Sequence, residues 1–120
     1  MDVGRIQELF RCTDDGDTKG LRAHLHPDLR VTMIGVEGVR EPFDLSGYLR
    51  FLEQSIAHRK GRGERTEHLP TRIKIDGERI AVRGQLRISS SSGPDEYHPY
   101  FDILELRDGR IVEYRIAYDI

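Results

Sequence analysis

The stretch from Tyr100 to Ile120 constrains the fold most: two runs of alternating apolar residues flank the dipeptide Asp108-Gly109. Asp-Gly between such runs is a strong local signal for a β-hairpin. Side chains alternate across a strand, so the hairpin sends one set inward and the other to the opposite face. Asp102 falls within the apolar and aromatic set. A carboxylate there is costly to bury and tends to have a shifted pKa, which marks it as functional or paired.

The turn decides which face Asp102 occupies. A two-residue loop would pair Leu106 with Ile111 and Leu104 with Glu113, placing Asp102 opposite Arg115. A three-residue loop with Gly109 as a left-handed bulge would oppose Leu106 to Arg110, Leu104 to Val112, Asp102 to Tyr114 and Tyr100 to Ile116. The second register is favoured because it gathers Tyr100, Leu104, Leu106, Val112, Tyr114, Ile116 and Tyr118 on one face, and a slip by one residue would scatter them. Asp102 then faces the interior. The first register would make Asp102 and Arg115 a solvated ion pair worth about 0.2–1 kcal/mol.

Upstream, Ile6, Leu9, Phe10 and Thr13 recur at helical spacing, predicting a helix over residues 3–14 led in by Asp2. Asp14-Asp15-Gly16-Asp17 breaks it. Asp17 or Thr18 caps a second short helix through Leu21 and Leu25, which His26-Pro27 ends. Leu29, Val31 and Met33 read as a strand, and Gly35 to Pro42 as a loop. Asp44 caps a third helix, about 45–59, with Tyr48, Leu49, Leu52 and Ile56 on its buried face. Two period-two stretches follow, one with Leu69, Ile73 and Ile75, the other with Ile80, Val82, Leu86 and Ile88, around an Asp76-Gly77 turn. The run Ser89 to Asp95 reads as a flexible hairpin loop. Helices followed by a four-strand antiparallel meander imply an α+β domain spanning 1–120, with the helices laid on one face of a curved sheet. Such a sheet curled around three helices leaves a cone whose mouth suits a small apolar ligand.

Charge narrows the partners. Nineteen basic and twenty-one acidic residues are interspersed, so no footprint for nucleic acid is expected. No apolar run approaches the roughly 20 residues that span a bilayer, and the N-terminus lacks the order of a signal peptide, which points to a cytoplasmic protein. The lone Cys12 excludes an internal disulfide. Five dispersed histidines, of which only His24 and His26 are near neighbours, predict no metal site, and no phosphate loop or redox-cofactor motif is present.

The element order, the Gly16-Asp17 break, the Val31-Thr32-Met33 strand and the closing Asp-Gly-Arg-Ile-Val-Glu-Tyr-Arg pattern (108–115) resemble the nuclear transport factor 2-like superfamily. Within it the chain is most similar to the SnoaL-like polyketide cyclase and ketosteroid isomerase branch. The resemblance implies a cone-shaped curved antiparallel sheet wrapped around three N-terminal helices, a ketosteroid isomerase-like barrel with an apolar cavity, often dimeric through the outer sheet face. It places Leu9 where the isomerases carry an oxyanion-stabilising tyrosine and Met33 where they carry a catalytic base, while Asp102 matches their protonated aspartate. The Asp-Arg-Asp set of the limonene-epoxide hydrolase branch falls on Arg83, Gln85 and Ile116. Both chemistries are therefore disfavoured, and the cyclase branch, which works with one carboxylate, resembles the chain better.

The expected function is a small cofactor-independent isomerase, cyclase or dehydratase acting on an apolar molecule. Asp102 is its expected acid/base. His98 is a second catalytic candidate, although about 13 Å along the strand separates it from Asp102. Tyr48, Tyr100, Tyr114, Ile116, Tyr118, Met33 and Leu9 are the expected ligand-binding residues. Arg83 is expected outside; pointing inward, it would be the natural counter-charge for Asp102. A non-catalytic ligand-binding or dimerisation module is the alternative. A cavity reaching Asp102 beside another hydrogen-bonding group favours the enzyme, and one filled by Met33, Tyr114 and Ile116 favours the module. Phe101, Ile103, Ile111 and Ala117 on the outer face predict a homodimer.

Overall fold

The computed structural model of the chain describes residues 1–35, 38–40 and 42–119. Helix α1 (Val3–Asp15) starts where the Asp2 carboxylate accepts from the Arg5 N–H and ends at Gly16, whose left-handed φ of 69° stops it. Helix α2 (Thr18–Arg22) is capped by Asp17. It ends earlier than expected: Leu25, His26 and Pro27 already belong to strand β1 (Leu25–Gly35). Leu25 extends the buried strand face there instead of closing a helix. A two-residue strand β2 (Gly38–Val39) lies within the expected 35–42 loop, of which Val36, Glu37 and Glu41 are outside the described residues. Helix α3 (Leu45–Gly61) is capped by Asp44 and buries Tyr48, Leu49 and Leu52.

Strands β3 (Glu64–Asp76), β4 (Arg79–Ser90), β5 (Gly93–Arg107) and β6 (Arg110–Tyr118) form the antiparallel meander. Ser90 pairs with Gly93, so the expected Ser89–Asp95 loop is a tight turn at Ser91-Ser92, and β5 begins two residues before Asp95. The strand order is β2-β1-β6-β5-β4-β3, with β1 running parallel to β6. The fold is α+β: three helices cover the inner face of a curved, unclosed six-stranded sheet. Ile6, Leu9, Leu21, Val31, Tyr48, Val82, Leu104, Ile111 and Tyr114 make up much of one core, each at most 2 % exposed. Burial of each such side chain favours folding by about 1.5–3 kcal/mol.

The final hairpin uses neither register throughout. Asp108 and Gly109 both have positive φ, 54° and 76°, the signature of a two-residue type I′ turn, and Leu106 pairs with Ile111. A bulge at Val112 then shifts the ladder: Leu104 opposes Tyr114 and Asp102 opposes Ile116, not Tyr114. The bulge puts Ile111 inside, 0 % exposed, in the place expected of Val112 and away from the outer face. Asp102 is interior, 1 % exposed, and the exposed Arg115 opposes Ile103.

A second bulge governs β3. Ile73 opposes Val82 and Pro70 opposes Gly84, leaving Thr71 as the extra residue. The expected continuous face through Leu69, Ile73 and Ile75 is therefore broken. Upstream of the bulge, Thr66, His68 and Pro70 share the inner face, opposite Ile88, Leu86 and Gly84, and Leu69 lies on the other side opposite Gln85.

Candidate active site

Between α3 and the inner sheet face lies a cavity of about 250 Å³ whose walls include Met33, Tyr48, Tyr100, Tyr114, Ile116 and Tyr118. Asp102 sits among them. Its Oδ2 accepts a hydrogen bond of 3.0 Å from the Tyr114 hydroxyl, and its Oδ1 has no partner among the described residues. Burial raises the Asp102 pKa to about 7, against the opposing pull of His68 and of the Tyr114 hydrogen bond. With Oδ2 already accepting, the proton of the neutral acid belongs on Oδ1. Burial, and then the Asp102 charge, push the Tyr48 and Tyr100 hydroxyls upward as well, so both remain protonated donors.

His68 also lines this cavity. Asp14, at the end of α1, holds it in three ways: Oδ1 accepts from His68 Nδ1 at 2.7 Å and from the Thr66 hydroxyl at 3.0 Å, and Oδ2 accepts from the His68 backbone N–H at 2.8 Å. Its ring stacks on Phe10 at 4.7 Å and meets Tyr100 edge-on at 5.0 Å. A carboxylate only accepts, so Nδ1 carries a proton, and in the neutral ring Nε2 is the acceptor. In the sequence His68 is one of five dispersed histidines, because Asp14 lies 54 residues away and no local pattern reveals the Thr71 bulge. Pro70 was the available signal, since proline inside a strand marks an edge or a bulge. β3 has both features.

Residues 6–114 match the family described as a SnoaL-like domain. The chain belongs to the SnoaL-like family, within the nuclear transport factor 2-like superfamily. No curated protein sequence matches it. Among solved structures, IdmH of Streptomyces antibioticus, a proposed polyketide cyclase, is 22% identical with a TM-score of 0.78 over 96% of this chain and 89% of that one. TerC co-crystallised with polyporic acid is 20% identical with a TM-score of 0.73 over 98% and 90%. An LEH-like epoxide hydrolase of M. tuberculosis is 18% identical with a TM-score of 0.72 over 98% and 81%. These likenesses show the cone-like fold.

The other candidate residues of this SnoaL-like domain divide by position. His98 lines the cavity but turns its Nδ1 to the Asp119 carbonyl at 3.0 Å, with Nε2 at 3.6 Å from Glu96. Leu9, expected in the wall, is 0 % exposed inside the core and is not a cavity residue, because α1 presents Thr13 and Asp14 there. Arg83 is exposed opposite Phe101 and supplies no counter-charge to Asp102. Away from the cavity, Glu8, Cys12 and His24 bring ligating atoms within 4.8 Å of one another. Arg11 clasps Glu8 at 2.5 and 2.9 Å, and Arg5 lies 3.4 Å from His24 Nδ1. Two guanidinium groups already stand where a cation would be drawn, so this donor set fits one poorly. No helix among the described residues is long and apolar enough to cross a membrane.

Proposed function

We propose that the protein is a cofactor-independent acid–base enzyme of the isomerase, cyclase or dehydratase kind, acting on an apolar carbonyl compound held in the cone. The observation that carries this reading is the pairing, on one cavity, of a buried carboxyl with an unpartnered Oδ1 and an independently anchored imidazole. To act together the two groups need a protonated carboxyl at Asp102 and an imidazole with a free Nε2 at His68. Burial keeps Asp102 a neutral acid up to about pH 7, and Asp14 orients His68 as a base.

His68 Nε2 would take a proton from the carbon next to the carbonyl, while Asp102 Oδ1 donates to the carbonyl oxygen, giving a neutral enol. In each outcome the enol O–H proton goes back to the Asp102 carboxylate as the C=O re-forms. Return of the imidazolium proton to another carbon isomerises the substrate. Attack of the enol carbon on a second carbonyl closes a ring, the imidazolium protonating the new alkoxide. Loss of a β-hydroxyl as water, protonated by the imidazolium, dehydrates it. The likeness to a proposed polyketide cyclase agrees with this range of chemistry. Epoxide hydrolysis fits less well, because Arg83 and Gln85, the positions matched to that branch, lie on the sheet face opposite the cavity.

Deuterium uptake tests the reading. In D2O the protein should speed exchange of the α-protons of a bicyclic ketone such as 2-tetralone well above buffer. Asp102→Asn and His68→Gln should each lower the accelerated rate by about 10²–10⁴. Exchange no faster than buffer across a panel of bicyclic ketones would overturn the enzyme in favour of a ligand-binding module.

A further inference from the structure

The far end of the cavity carries one side chain that the acid–base chemistry does not use. Arg59, in the last turn of α3, is part of the cavity wall, and its side chain is 26% exposed. Its guanidinium makes no hydrogen bond among the described residues. The nearest carboxylate, Glu64, stands at 3.9 Å, beyond hydrogen-bond distance, and lies closer to Arg62 at 3.6 Å. Its nitrogens are not among the buried atoms left without a partner, so they remain open to solvent and to a ligand, with five donors to offer.

Its position along the cavity is specific. Tyr48, Leu52, Ser55, Ile56 and Arg59 all line the cavity from one helix. Tyr48 lies at the Asp102 end, and Arg59 follows roughly 16 Å further along the axis. Its guanidinium lies near Glu64 at the start of β3, at the outer end of the cavity. Of the ionisable side chains lining the cavity among the described residues, Asp14 is engaged by His68 and Thr66, His98 faces the Asp119 carbonyl, and Arg59 alone carries a permanent positive charge.

We propose that Arg59 binds an anionic group on the ligand, so that the molecule taken into the cone is an apolar acid: a carboxylate or similar oxyanion at the mouth, a ring body in the middle and the reacting oxygen at Asp102. This rests on the acid–base reading above for its inner end and adds the outer one. A planar carboxylate suits the guanidinium fork, and binding it would release Arg59 from Glu64 while Arg62 stays beside that carboxylate.

The test compares 6-hydroxy-2-naphthoate with its neutral isostere, 6-hydroxy-2-naphthamide, by calorimetry in low salt. The acid should bind the intact protein at least tenfold more tightly. Arg59→Gln should abolish that preference and leave amide binding unchanged, Arg59→Lys should retain part of it, and Arg62→Gln should leave it intact. Equal binding of acid and amide would overturn the Arg59 assignment while the cavity reading stands. A preference that survives Arg59→Gln, or that falls equally in Arg62→Gln, would overturn it too. Failure of both probes to bind at millimolar concentration would remove the cavity as a ligand site, and Arg59 with it.

Discussion

Tyr114 donates to Asp102 diagonally across the final hairpin, 3.0 Å from hydroxyl to carboxyl, although its direct neighbour is Leu104 and that of Asp102 is Ile116. The Val112 bulge creates this diagonal, and a tyrosine is long enough to cover it. The hydrogen bond favours the charged form and so pulls the Asp102 pKa down, against burial. In Tyr114→Phe, Asp102 should titrate higher still, with roughly tenfold greater proton affinity, the equivalent of about 1.4 kcal/mol. Carboxyl-carbon NMR titration of the two proteins measures this, and an unchanged or lower midpoint would contradict it.

Asp102 also shapes stability against pH. Its folded pKa, about 7, lies above the ordinary 3.8, so the native state holds the proton more tightly than the unfolded chain. Native stability therefore falls as pH rises between those values and stays lowered above them. Asp102→Asn removes the titration and keeps an acceptor for Tyr114. It should match the parent near pH 4 and exceed it by on the order of 1–3 kcal/mol at pH 8. Thermal melts across that range give the answer, and a difference that does not change with pH would contradict a buried, titrating Asp102.

Asp14 accepts three hydrogen bonds on its two oxygens. Asn at this position would turn its NH2 toward at least one donor. Asp14→Asn should cost about 1–3 kcal/mol and let the His68 ring drift. Ketone exchange should fall at least tenfold while binding of the naphthamide stays the same. Loss of binding in parallel with exchange would mean that Asp14 only supports the wall.

Gly84 has no room for a side chain. A Cβ there would stand 2.4 Å from the Leu69 carbonyl and 2.9 Å from Pro70 Cα, both backbone, and 2.8 Å from the Tyr100 hydroxyl. Gly84→Ala should destabilise by about 2 kcal/mol or more. Gly93→Ala, with nothing within 4 Å, should change stability little. Denaturant melts of the pair test this, and equal midpoints would contradict the close packing.

The outer sheet face predicts self-association. Phe101 is 43% exposed, and Ile103 and Ala117 lie on the same face. The protein should be a dimer by light scattering at micromolar concentration, and Phe101→Lys should shift it toward monomer. A monomer mass for the parent would refute this.

The sequence made Asp102 and most of its surroundings legible, because beyond the bulge the observed ladder differs from the expected one by two residues, a full period of the pleat: Tyr100, Leu104, Tyr114, Ile116 and Tyr118 keep their face. Ile111 did not, being on the turn side of that bulge. His68 was hidden for the same kind of reason. Period two read from Ile75 backward through Thr71 points Leu69 inward, and only pairing with β4 reveals that the count skips a residue. The contact with Asp14 is set by how α1 lies against an edge strand, which no local pattern encodes. Arg59 is one of several basic residues in the last turn of α3, and only the path of the cavity singles it out.

Thr71 gives the cavity an evolutionary buffer. β3 is an edge strand, so a change in its length re-makes only one side of the ladder. Deleting this single residue would let the β3–β4 ladder run on unbroken with Pro70 still opposite Gly84 and His68 still opposite Leu86. Only taking Thr71 into the ladder opposite Gly84, with no residue lost, would exchange His68 for Leu69 in the wall. A relative could thus lose or gain this one codon and keep its imidazole in the cavity. In comparing such proteins, an alignment gap near Pro70 would not by itself mean that the histidine has moved.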